Sequence, residues 1–228
     1  MGNVAGNLRI IQEQMEHAAR RAGRDPSEIT LVAATKDVPP ELIEEAIAAG
    51  VEIIGENRVQ EALKKHKVIG DSVHWHMIGH LQRNKVEKAL EIFELIQSVD
   101  SYRLADEVNK RAQRTGKAID VLIEVNTSGE ETKFGVRPED LIGFLQSVTR
   151  MQGLNVRGLM TIGVFSPHPG IIRPSFARLR ELKEEIERKG IGEIEFLSMG
   201  MTSDFEIAIE EGSNMVRIGT GIFGARRR

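Results

Sequence analysis

The sequence predicts an α/β protein, a single (β/α)8 TIM-type barrel with an extra N-terminal helix, and three observations lead there. Short apolar, β-tolerant runs alternate with amphipathic helical stretches until eight strands are counted along the 228 residues, the pattern of parallel strands joined by crossover helices. That length matches the roughly 200 to 250 residues of one α/β barrel. The first strand is followed by Asp37-Val38-Pro39-Pro40, whereas an open doubly wound sheet usually places a glycine-rich turn there. One domain over 1–228 is therefore expected.

Composition narrows the function. A net charge of −3 offers no long-range attraction for nucleic acid, so an anionic ligand has to be held by local chemistry. The absence of cysteine excludes disulfides, thiolate nucleophiles and thiolate-bound metals and suits a reducing, cytoplasmic setting. No run is long and apolar enough for a membrane span, and neither a signal peptide nor an anchor is read at the N-terminus.

The elements follow in order. Leu8, Ile11, Met15 and Ala18-Ala19 recur at helical spacing over residues 3–22, up to Gly23, and predict an amphipathic helix that caps the barrel. The apolar run 29–36 is the first strand. Pro39-Pro40-Glu41 opens a helix to 49, stopped by Gly50. Strands are then expected over 51–57, 74–79, 95–100, 120–126, 155–163, 194–199 and 215–219. Helices lie between them over 59–68, 84–93, 102–114, 138–151, 174–189 and 205–211.

Chemistry in such a barrel sits at the C-terminal ends of the strands. Lys36 ends the first strand, and a partly desolvated amine there is a candidate Schiff-base nucleophile; a strand-end lysine reaching to water is the alternative. The loops after strands seven and eight are the usual phosphate site of barrels. Here they read Ser198-Met199-Gly200-Met201-Thr202-Ser203-Asp204 and Arg217-Ile218-Gly219-Thr220-Gly221, with glycines for close backbone approach, hydroxyls and open amides. Arg217, in mid-strand, shares an inward face with Met215 and Gly219, and such an arginine needs either a carboxylate such as Glu124 or a ligand. Asn57 stands at the end of the second strand as a ligand contact or a helix cap. His74 and His76 share a strand face, but the other histidines fall on helices or loops, so no metal centre is expected. His80 could line the pocket. The Arg226-Arg227-Arg228 tail is either a solvated end or an electrostatic aid in recruiting a phosphorylated ligand.

Taken together, Ala33-Ala-Thr-Lys36, Gly55-Glu-Asn-Arg-Val-Gln-Glu61, His76-Met-Ile-Gly-His-Leu-Gln-Arg-Asn-Lys85, Gly158-Leu-Met-Thr161, Ser198-Met-Gly-Met201 and Val216-Arg-Ile-Gly-Thr220 resemble the pyridoxal phosphate homeostasis proteins, the YggS-like or PROSC-like family, from about residue 29 to 225. The resemblance implies a barrel similar to the N-terminal domain of alanine racemase, a fold type III barrel without the C-terminal β-domain, holding pyridoxal 5′-phosphate (PLP) as an aldimine on Lys36. It implies Asn57 beside the cofactor, Ser198, Met199, Gly219 and Thr220 around its phosphate, and Arg217 at its ring nitrogen. An arginine there leaves that nitrogen unprotonated and weakens the cofactor as an electron sink. Thr35-Lys36-Asp37 departs from the Ser-Lys-Thr of many relatives.

Two further readings stay open beside a carrier or regulator of intracellular PLP: a racemase-like enzyme of low activity, and a cofactor-free phosphosugar-binding barrel, which has no use for Lys36. Racemases of similar fold close the site with a second base. The one tyrosine, Tyr102, is placed at a helix start and no cysteine is present, so that base has no obvious candidate. The carrier reading implies PLP and PLP-dependent apoenzymes as partners, and a monomer or weak dimer.

Overall fold

The computed structural model describes residues 3–225. Its eight strands are β1 (Thr30–Ala34), β2 (Ile53–Glu56), β3 (His74–Met77), β4 (Leu95–Val99), β5 (Ile119–Glu124), β6 (Leu154–Met160), β7 (Phe196–Met201) and β8 (Met215–Ile218). They form a closed barrel in sequence order, every neighbouring pair parallel, with β8 returning to β1 through the Ala33–Ile218 register. The helices are α1 (Val4–Arg21), α2 (Pro40–Ala48), α3 (Val59–Ile69), α4 (Val86–Ala89), α5 (Tyr102–Arg114), α6 (Leu141–Val148), α7 (Pro169–Arg188), α8 (Phe205–Glu210) and α9 (Thr220–Phe223).

Alternation along each strand produces two cores. Val32, Ile78, Leu95, Leu122, Met160 and Met215 point inward and fill the barrel as a small cluster of their own, while residues such as Ala33, Ile54, Ile96, Val121, Ile123 and Val216 point outward into the large core under the helices. By the same alternation Gln97, Glu124 and Arg217 face the way Leu95, Leu122 and Met215 do, one layer nearer the strands' C-terminal ends. This is how polar groups come to line the mouth of a barrel whose floor is apolar.

Two expectations change, and one element was not anticipated. α1 packs on α2, α8 and α9, so it joins the helix layer at the β8–β1 seam instead of capping the barrel; Leu8, Ile11, Met15, Ala18 and Ala19 are its buried stripe. α7 begins at Pro169, five residues before Pro174, which lies inside it. A proline in the first turns forgoes only one early hydrogen bond, and Ile172, Phe176 and Leu179 bury the helix firmly across it. The single turn α9 directly after β8 has no sequence periodicity to announce it.

Candidate functional site at the barrel mouth

Lys36 stands two residues beyond β1. The Thr35 amide still donates to the Gly55 carbonyl at 2.9 Å, so the ladder carries the chain up to the lysine. The chain then turns at Asp37, the one described non-glycine residue with positive φ, 59°. Lys36 is half-buried, and its amine takes no hydrogen bond or ion pair among the described residues. It opens into a cleft of about 470 Å³ shared with Asn57, Arg58, Met77, His80 and Lys85. His80 Nδ1 lies 2.9 Å from Asp100 Oδ2, and its ring stacks on Phe134 at 3.9 Å between centroids.

Inside the mouth a buried chain of hydrogen bonds crosses the barrel. Arg217 donates to the Ser198 hydroxyl (2.5 Å), the Ser198 carbonyl (2.8 Å) and the Thr161 carbonyl (2.8 Å). Ser198 Oγ donates to Gln97 Oε1 at 2.7 Å, and Gln97 Nε2 meets His76 Nδ1 at 3.0 Å. Burial lowers the Arg217 guanidinium to about 10, against the pull of Glu124 and Asp204, and lowers His76 to about 3, with His74 adding to the effect. Glu124 is pushed up to about 7 by burial and by Asp100, against the attraction of Arg217. Its carboxyl makes no hydrogen bond among the described residues, so the anticipated Arg217–Glu124 ion pair is not a contact; the arginine is satisfied by neutral acceptors instead.

The loops after β7 and β8 touch each other, and the second of them lies against β1. Gly200 has φ 98°, and a Cβ there would lie 2.6 Å from Ala208 Cβ. Gly219 packs against the backbone of Ala34, where a Cβ would come 3.1 Å from the carbonyl oxygen. The amide of Met201 is taken by Asp204 Oδ1 at 2.6 Å and that of Gly221 by Thr202 Oγ1 at 3.2 Å. Those of Thr202, Ser203 and Thr220 have no partner among the described residues.

Lys36 and Asn57 thus come together in the cleft, with Gly219 one strand away. Thr220 is exposed at the first residue of α9. Ser198 and Met199 are placed differently from one another: the serine hydroxyl is committed to the interior chain, and the Met199 side chain is fully buried in the outer core. What these two residues could offer a phosphate is backbone. His74 pairs with Glu94 at the far side of the strand, Tyr102 is exposed at the start of α5, and the arginine tail 226–228 lies outside the described residues. The sequence reading missed Gln97, Thr161 and Lys65. Lys65 carried a signal: it falls between Ala62 and Ile69 on the buried face of α3, where a solvated lysine does not belong.

This donor set fits PLP. Lys36 would offer an amine to an aldehyde carbon, and the unpartnered loop amides would offer donors to a phosphate. Known proteins point the same way. The model of the alanine racemase N-terminal domain matches residues 7–227. The pyridoxal phosphate homeostasis protein of Aquifex aeolicus is 46% identical over 226 residues, covering 99% of both chains. The structure of PipY from Synechococcus elongatus PCC7942, solved with PLP bound, superposes with a TM-score of 0.86 at 33% identity over 97% of this chain and 100% of that one. An alanine racemase of Clostridium difficile 630 shares the fold, with a TM-score of 0.79 at 14% identity over 98% of this chain and 58% of the racemase. With sequence and fold in agreement, the chain belongs to the alanine racemase N-terminal domain family and, within it, to the pyridoxal phosphate homeostasis proteins.

Proposed function

We propose that the protein binds PLP in the barrel mouth, covalently at Lys36, and serves as a carrier or regulator of the intracellular cofactor, not as a dedicated enzyme. The observation that carries this reading is the Lys36 amine, unpaired among the described residues, opening into the 470 Å³ cleft; the amides of Thr202, Ser203 and Thr220, beyond the ends of β7 and β8, are likewise unpartnered. When bound, the cofactor supplies an electrophilic aldehyde carbon, to which the Lys36 nitrogen bonds as the aldehyde oxygen leaves as water. Asn57 lines the ring, Gly219 and Thr220 lie beside the phosphate with the backbone of Ser198 and Met199, and the Arg217 guanidinium faces the ring nitrogen. A cation there keeps that nitrogen unprotonated, which suits holding the cofactor better than carbanion chemistry. PLP-dependent apoenzymes are the partners this reading names.

The test is the visible absorption of the purified protein with added PLP, followed by borohydride reduction and peptide mapping, alongside Lys36→Ala. A reduced adduct on Lys36 that is lost in the variant is expected. A colourless protein that takes up no PLP would return the barrel to a phosphosugar-binding role. One observation favours a racemase-like side activity: His80, oriented by Asp100 at 2.9 Å, lines the same cleft as Lys36 and could serve as a base. Absence of α-proton exchange on amino acids in deuterated water would dismiss it.

A further inference from the structure

Behind Lys36, on the outer side of the barrel, four polar residues are packed where an apolar filling would be ordinary. Lys65 of α3 is 6% exposed and Glu56 of β2 is fully buried. The Lys65 ammonium has three protons and spends each on a short contact, to the Thr35 carbonyl at 2.6 Å, Glu56 Oε1 at 2.7 Å and Glu61 Oε1 at 2.6 Å. Thr35 Oγ1 donates to the same Glu56 oxygen at 2.7 Å. Glu61 Oε1 in turn accepts the Asp37 amide at 2.6 Å.

The consequence is directional. The carbonyl of the residue before Lys36 and the amide of the residue after it are both tied to one ionic cluster on α3, while Thr35 N is tied to Gly55 O. Between these anchors Asp37 is held at φ 59°, a conformation that a non-glycine residue keeps only when its surroundings impose it. A buried ion cluster contributes little to stability compared with apolar side chains of the same volume. Burial raises the Glu56 carboxyl, with Lys65 opposing, and Glu56 Oε2 has no partner among the described residues. An arrangement this costly, at the foot of a half-buried lysine that aims its amine into the mouth, fixes geometry.

We propose that Lys65 and Glu61 are positioning residues for Lys36: they clamp the two peptide units that flank it, so that its amine enters the barrel mouth at one angle before any cofactor arrives. The proposal rests on the assignment of Lys36 as the attachment point, but the clamp has a signature of its own in the cofactor-free protein.

The experiment compares wild type with Glu61→Ala, Glu61→Gln and Lys65→Met. Hydrogen exchange across residues 35–38 is read without cofactor, and the rate of borohydride-trapped PLP addition at Lys36 is read against pH. Glutamine retains an acceptor for the Asp37 amide and alanine does not. Glu61→Ala is expected to speed exchange at Asp37 and slow trapping about ten- to a hundred-fold, the scale of a misplaced reacting group, with Glu61→Gln restoring most of both. Lys65→Met is expected to follow Glu61→Ala; if it does not fold, the Glu61 pair decides. A folded Glu61→Ala protein with wild-type exchange and wild-type trapping would overturn the clamp. Wild type that incorporates PLP elsewhere than Lys36 would refute the attachment point, while faster exchange at Asp37 in Glu61→Ala would still uphold the clamp.

Discussion

Arg217 and Ser198 face each other across the seam between β7 and β8, the guanidinium Nη1 lying 2.5 Å from the serine hydroxyl and 2.8 Å from its carbonyl oxygen. Ser198 passes the contact to Gln97, and Gln97 to His76. The arginine in the barrel is therefore held by neutral groups. No member of this chain is more than 7% exposed, which makes an unfilled bond within it costly.

Ser198→Ala removes one donor and one acceptor from that chain without adding volume. It is expected to lower stability by about 1–3 kcal/mol, read as a lower denaturant midpoint with an unchanged slope. It should also weaken PLP uptake, because the arginine then has fewer restraints on its position. Unchanged midpoint and uptake would show that the Ser198 and Thr161 carbonyls alone hold Arg217.

Glu124 and His76 give opposing pH dependences in one window. Glu124 rises from an ordinary 4.5 to about 7, so the folded state binds its proton more tightly; its contribution is present below pH 4.5 and lost as pH rises through about 7. His76 falls from 6.5 to about 3, so its contribution is present above pH 6.5 and lost as pH falls toward 3. Between pH 6.5 and 4.5 the two slopes cancel in large part. Glu124→Gln should expose the histidine's slope as a steeper acid loss, on the order of 2 kcal/mol across the window, and His76→Gln the reverse, a gain on acidification. Parallel pH–stability curves for wild type and both variants would contradict the assignment.

Gly200 is required by both its φ of 98° and its neighbours, Ala208 Cβ at 2.6 Å and Phe205 Cα at 2.9 Å from an added Cβ. Gly200→Ala is expected to cost about 2 kcal/mol or more and to disturb the Thr202 and Ser203 amides that follow. The measurable pair is the melting temperature and the affinity for PLP, and the phosphate-free analogue pyridoxal should lose less affinity than PLP does.

Glu210 of α8 joins Arg21 of α1 and Arg173 of α7 at 2.9 and 2.7 Å. Glu210→Gln should lower the melting temperature at low ionic strength, with the difference shrinking toward about 1 M salt as the partly exposed charges are screened. A salt-independent difference would point to packing instead.

Strand and helix positions were legible from periodicity, because a buried strand and an amphipathic helix each leave a local pattern that needs no partner to be read. That Lys36, Asn57, Gly219 and Thr220 fall at the C-terminal ends of strands was legible for a related reason: those ends follow from the strands. The start of α7 was misplaced because proline was read by its interior cost, whereas burial of Ile172 and Phe176 outweighs it.

What the chain by itself determined was therefore the closed run of eight strands and the lysine at the end of the first. Only the tertiary structure decided that Ser198 turns its hydroxyl to Arg217 rather than outward, that Glu124 makes no ion-pair contact with that arginine, and that Lys65 reaches the carbonyl before Lys36. The bonds that express those choices, Arg217 to Ser198, Lys65 to Thr35 and Ser198 to Gln97, join residues 19, 30 and 101 positions apart. They depend on which way each side chain points once the barrel is closed, and hydrogen bonds between residues so far apart leave no periodic trace along the chain.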